Sequence, residues 1–205
     1  MLFGDISVER LIAGIIALVV GLTFHEFSHA LLADQLGDRQ PRAMGRLTLN
    51  PIPHIDPLGA LMLVIAGFGW AKPVMVNPAA LRDGQRGMAL VAFAGPIANV
   101  LVAIGFAVVY RVLGVVGVED GFVLRLVELI VRLNILLAIF NLIPIPPLDG
   151  YNVLLAYLPP RQAVTIQRYA PYGIIVLLLL IFLPGSPLRA LLSLADPITR
   201  VLIGA

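Results

Sequence analysis

The 205-residue chain is 60% hydrophobic and 13% charged, against roughly 45–50% and 25% in soluble domains. That length leaves room for one domain, and a soluble domain of this size has too little interior for so much apolar surface, so the bilayer is the expected solvent. A net charge of +2 argues against a nucleic-acid partner, and the absence of cysteine excludes disulfides, a thiolate nucleophile and Cys-ligated zinc or iron–sulfur.

In chain order, the first apolar run extends from Leu11 to Leu36, interrupted only by His25-Glu26 and His29 before it frays at Asp34. It exceeds the ~20 residues a spanning helix needs. A cleaved signal peptide fits less well: Asp5, Glu9 and Arg10 give no basic lead-in, and no small-residue cleavage site follows. Leu58 to Gly69 is too short to cross as a helix, so a re-entrant or interfacial element is expected there. Two alternating runs flank it, Arg46–Asn50 and Pro73–Asn77, each ending in Asn-Pro. They are predicted as strands. Leu47, Leu49, Val74 and Val76 would then lie on an edge able to hold an unwound substrate as an added strand, or on a hairpin that shields the site from lipid.

Further apolar runs follow at Met88–Tyr110, Phe122–Ile143 and Tyr172–Leu183, with a weaker one at Leu188–Ile203 broken by Asp196-Pro197. Arg125, Glu128 and Arg132 recur at helical spacing within the third span, and such charges are costly in lipid. They are expected as a salt-bridged stripe on an outer, partly wet turn, with the buried helix starting near Leu133. The pattern predicts an all-α polytopic membrane protein: about five transmembrane helices plus a cytoplasmic-side re-entrant or β-hairpin element. It would form a single domain over residues 1–205, with a core at 8–158 and accessory C-terminal helices at 169–205.

Basic residues orient the spans. Arg39, Arg42 and Arg46 follow the first, Lys72, Arg82 and Arg86 precede the second, and Arg161 and Arg168 follow the third, while Val112–Gly121 has none. The first helix therefore runs from outside to inside, the second returns and the third comes back in.

His25-Glu26-Phe27-Ser28-His29 is an HExxH motif. On a helix, residues four apart face one side, so both imidazoles can bind one metal ion. Glu26 points partly away from that face, able to reach a bound water without acting as a ligand: two histidine ligands and a general base. Catalytic zinc wants a third protein ligand and an open position. Asp149 is the outstanding candidate, in Asn141-Leu-Ile-Pro-Ile-Pro-Pro-Leu-Asp149-Gly150, where three prolines break the helix and Gly150 permits a sharp turn. Its alternative role is to cap the helix that follows.

Together these segments resemble the site-2 protease family of intramembrane zinc metalloproteases, in the short branch without PDZ or CBS domains. The resemblance rests on His25 to Ala30, Asn50 to Gly59, Gly67 to Pro78, Ala94-Gly-Pro-Ile-Ala-Asn99 and Asn141 to Gly150. It is weak after Tyr157. It implies that His25, His29 and Asp149 hold one Zn2+ per chain, with Glu26 as general base, to cleave a peptide bond within or near a transmembrane segment of a membrane-protein substrate. The expected setting is the lipid bilayer of the cell (plasma or inner) membrane, with the active site toward the cytoplasm and no nucleic-acid partner. His54 is either an active-site neighbour or a polar residue of a Pro-rich turn. Asn141 either ties down substrate backbone or satisfies freed carbonyls, and Asn99 reads as a helix-packing or kink feature. The rival classes are a catalytically inactive zinc-binding homologue and a metal transporter. Retention of Glu26 argues against the first, and the scarcity of ionisable groups in the second and fourth long runs against the other.

Overall fold

In the computed structural model the described residues are 8–66, 69–118, 121–183 and 185–204. Ten α-helices follow one another among them: α1 (Val8–Gln35), α2 (Gln40–Ala43), α3 (Pro57–Ala66), α4 (Gln85–Val115), α5 (Phe122–Asn141), α6 (Asp149–Tyr157), α7 (Pro160–Tyr169), α8 (Gly173–Phe182), α9 (Pro187–Leu192) and α10 (Ala195–Ile203).

Helices α1, α4 and α5 pack against one another and form the centre of the molecule. Alpha-1 turns one face inward, on which Ala13, Ala17, Gly21, His25, His29 and Ala33 recur at every fourth position, all buried. Small residues let backbones approach closely. A Cβ on Gly21 would stand 2.9 Å from Leu137 Cδ1 of α5. The same logic runs along α4, where Ala89, Ala92, Gly95, Ala98, Ala103 and Ala107 are buried. Its outer face carries exposed Leu90, Ile97, Leu101, Ile104 and Val108, the surface of a helix whose solvent is lipid.

Among the described residues three helices are long and apolar enough to cross a membrane: Leu11–Gln35, Gln85–Val115 and Pro160–Phe182. The first two coincide with the first two predicted runs. The third begins well before the predicted Tyr172, because a short 3-10 turn joins α7 to α8. Alpha-5 coincides with the remaining long run but carries Arg125, Glu128 and Arg132. Two of these charges make half-exposed salt bridges that reach other helices. Arg125 bonds Glu9 at the start of α1, and Arg132 bonds Asp196 of α10 at 2.6 Å. The first of these pairs brings the N-terminal ends of α1 and α5 together. The weak run after Leu188 divides before Ala195 rather than at Asp196-Pro197, since proline is accommodated in a first helical turn. Alpha-10 then packs on α5 and α4, closing a cluster of Ala103, Ala107, Val131, Ile135, Ala195 and Ile203. Arg111 fastens it by donating to the carbonyls of Val201 and Leu202 at 2.9 and 2.7 Å.

The predicted strands at Arg46–Asn50 and Pro73–Asn77 are not formed: among the described residues there is no strand, only an isolated bridge between Ile55 and Ala71. Prolines at 51, 53, 57, 73 and 78 remove ladder donors on both sides, and side chains take the remaining backbone groups. Buried Arg46 donates to the carbonyls of Pro53, Lys72 and Pro73 at 2.7, 3.1 and 3.2 Å. Asp38 accepts from Gln40 N–H at 3.0 Å and Asn77 N–H at 2.7 Å. Leu47, Leu49, Val74 and Val76 thus lie in side-chain-pinned loops. Between them α3 starts under an Asp56 cap, whose Oδ1 accepts from the N–H groups of Leu58 and Gly59. The chain then returns across Gly59, where a Cβ would collide with the Trp70 backbone, and Lys72 N–H reaches His54 O at 2.9 Å.

Candidate metal centre

The two histidines of α1 lie one turn apart on its buried face, and each is held from behind. His25 Nδ1 donates to Asn99 Oδ1 of α4 at 2.7 Å, and His29 Nδ1 donates to the Val91 carbonyl, also of α4, at 2.7 Å. Both acceptors require the proton on Nδ1, which leaves Nε2 with a free lone pair. The rings meet edge to face with centroids 4.6 Å apart.

The two Nε2 atoms are 3.0 Å apart, and Asp149 Oδ2 stands 3.1 Å from that of His25 and 3.3 Å from that of His29. Three ligand atoms therefore converge from α1 and the first turn of α6. Asp149 Oδ2 is buried with no hydrogen-bond donor directed at it. A carboxylate oxygen so placed, facing two imidazole lone pairs, is an acceptor-only set that suits a cation. The space is made by Gly95, whose Cβ would stand 2.5 Å from His29 Nε2 and 2.7 Å from His25 Nε2. The donor set of two nitrogens and one oxygen is of the kind that holds zinc.

The helix-capping alternative for Asp149 is not realised. Leu148 occupies the cap of α6, with no side-chain cap bond, and the carboxylate turns to the histidines instead. The Pro-rich break does place it, since the chain between Asn141 and Asp149 is irregular. Gly150 serves close approach rather than a sharp turn: it lies inside α6, and a Cβ there would collide with the carbonyls of Leu142 and Ile143.

Glu26 is buried beside His25, and its Oε2 accepts from Val74 N–H at 3.0 Å. His54 is also buried but is not part of the cluster: its Nε2 donates to Thr48 O at 2.9 Å, which ties its own loop. Asn141 Nδ2 donates to Leu137 O of its own helix at 3.0 Å, and the residue is not part of the cluster. Sequence reasoning undervalued Asn99, which reads as packing beside Gly95-Pro96 yet holds His25. It missed Gly95 as the maker of space and Asn134 behind Asn99. The available signal was two carboxamides inside apolar helices, where polar groups are costly unless they have a task.

A His-His-Asp triad beside a carboxylate, among apolar helices, is a candidate metal centre in a membrane protein. The comparisons name the family: the chain belongs to peptidase family M50, the site-2 protease family. The family model, "Peptidase family M50", matches residues 112–183, a stretch that includes Asp149 and leaves the HExxH segment outside. A Bacillus subtilis protein named "Putative zinc metalloprotease YwhC" is 39% identical over 180 residues, covering 83% of this chain and 80% of that protein. Two mycobacterial proteins named Rip2, with the same zinc-metalloprotease designation, are more distant. The one from Mycobacterium tuberculosis H37Rv is 31% identical over 81% of this chain and 65% of its own length, and that from Mycolicibacterium smegmatis 29% over 82% and 65%. No solved structure matches the chain.

Proposed function

We propose that this chain is an intramembrane zinc protease in which His25 Nε2, His29 Nε2 and Asp149 Oδ2 hold one Zn2+ and Glu26 is the general base. The observation that carries the reading is the convergence of those three atoms within 3.3 Å inside an apolar helix bundle. Bound there, zinc supplies a Lewis acid that polarises a peptide carbonyl and acidifies water. The protein does the rest. Val74 N–H fixes Oε2 of Glu26, so Oε1 takes the proton from the attacking water and passes it to the departing amide nitrogen. Asn99 and the Val91 carbonyl keep both imidazoles aimed while charge develops.

The substrate is a transmembrane segment of another protein, locally unwound so that its amides leave their own helix. A cavity of about 500 Å3, bounded by Ile15, Val19 and Thr23 of α1, Leu137 of α5, His54 and Trp70, offers apolar space for its side chains. The loop through Val74 bonds the base directly, so a substrate laid along Val74–Val76 passes the site. We further propose that α1, α4 and α5 cross the cell membrane, with the α3 hairpin dipping in from the cytoplasmic side and the catalytic centre in that half. The excess of Arg and Lys over residues 39–86 supports this orientation.

Glu26→Gln tests the chemistry in purified, reconstituted protein. Zinc content stays at wild type while cleavage of a single-span peptide falls about 10²-fold or more. Wild-type cleavage by that variant removes Glu26 from the mechanism, and absence of zinc from the wild type removes the ligand set. For orientation, a cysteine placed at position 42 of this cysteine-free chain labels only from the cytoplasm and one at position 118 only from outside. Labelling from one common side overturns the proposed topology.

A further inference from the structure

We propose that Asn134, on α5 and without contact to the ligand cluster, is a positioning residue: its carboxamide sets the direction of the Asn99 amide and, through it, the tautomer of His25. This rests on the reading of His25 as a zinc ligand.

The argument is one of donors and acceptors. Asn99 and Asn134 are both fully buried. A carboxamide offers an acceptor at one end and two donors at the other, and its shape alone does not decide which end faces a partner. Were Asn99 reversed, it would donate to His25 Nδ1, driving the ring proton onto Nε2. That is the atom facing His29 and Asp149, and a protonated Nε2 cannot bind a metal.

Two acceptors prevent the reversal. The Nδ2 of Asn99 donates to Gly21 O at 3.0 Å and to Asn134 Oδ1 at 2.8 Å. Asn134 is in turn fixed, because its own Nδ2 donates to the Ile130 carbonyl at 2.8 Å, which leaves only Oδ1 to face Asn99. Gly21 belongs to the device in a second way, since a Cβ there would stand 3.1 Å from Asn134 Oδ1. A main-chain carbonyl of α5 thus dictates, through two amides, where the proton sits on a histidine of α1. In an apolar interior such a chain is strong while every member is satisfied. With Asn134 removed, Asn99 retains one acceptor and one unpartnered N–H, and reversal becomes accessible.

The test compares Asn134→Leu, close in shape but unable to accept, with Asn134→Asp. A carboxylic acid there can keep an acceptor toward Asn99 and a donor toward Ile130 O. Asn134→Ser is the reserve for a poorly folding leucine variant: its hydroxyl can bond Ile130 O but falls short of Asn99. Zinc affinity is read by chelator competition on the full chain, and the His25 tautomer by nitrogen NMR of the metal-free protein. The leucine variant weakens zinc about tenfold, the order seen when a ligand's outer support is lost, and moves His25 toward the Nε2-protonated form. The aspartate variant stays near wild type on both readouts. In an Asn99→Ala background the leucine change has little further effect, because the two residues act as one unit. Wild-type affinity and tautomer in the leucine variant overturn the proposal, as does an undiminished effect in the Asn99→Ala background. Failure of the wild type to bind zinc instead overturns the underlying ligand assignment.

Discussion

The three-helix centre and the segment 36–84 solve the same problem, polar groups near an apolar medium, in opposite ways. At the centre the backbone is already satisfied within helices, and the buried polar side chains bond one another: His25 to Asn99, Asn99 to Asn134. In the segment the backbone is irregular, and buried side chains serve it: Arg46 takes three carbonyls, Asp38 two N–H groups and Glu26 one. The difference teaches where precision comes from. Helix packing holds side chains in one place, whereas a loop held by a few charged side chains can shift when they are released. On the proposed function, a metal centre needs the first kind of support and a segment that receives substrate gains from the second.

The comparison breaks most sharply at Gly95. Gly95→Ala puts a methyl group where the ligand lone pairs converge, so His25 and His29 must move apart. Displacement near 1 Å predicts a loss of cleavage of about 10²-fold, with zinc lost on gel filtration. Zinc content and activity equal to wild type would show that the centre is less closely packed than described.

Arg46→Ala probes the other side. Three carbonyls lose a charged donor, each unmade bond costing about 1–3 kcal/mol where water cannot replace it. Hydrogen exchange should rise over residues 47–75 and leave α1, α4 and α5 unchanged, with zinc retained. Exchange rising equally across α1 would mean that the two regions unfold as one.

The smallest effect is expected at the rim. The Arg132–Asp196 and Arg125–Glu9 pairs are about half exposed. Asp196→Asn should change unfolding stability by less than ~1 kcal/mol and leave zinc affinity untouched. A larger loss would assign α10 a bigger share of the core's stability than its exposed ion pair suggests.

Much of this was legible in the sequence because the signals are periodic or chemically rare. An HExxH inside an apolar run, a later Asp after a proline break and two long apolar runs announce α1, α4 and the three converging atoms. The strands were misread for a physical reason. The Leu-Thr-Leu and Val-Met-Val alternation is real, but alternation describes side chains while a ladder needs backbone donors, and the surrounding prolines and the Arg46, Asp38 and Glu26 side chains leave few to pair. Arg46 itself was read only as a topological charge. Its burial depends on carbonyls far along the chain, which no local pattern encodes. Asn99 failed for the same reason: its meaning depends on His25 and Asn134, on two other helices.

The latch between Arg111 and the last turn of α10 joins groups 91 and 90 positions apart in the chain, at the carbonyls of Leu202 and Val201. It helps hold Ala195 and Ile203 down on Ala103, Ala107, Val131 and Ile135, so one exposed guanidinium acts as a clasp on the seam between α4 and α5.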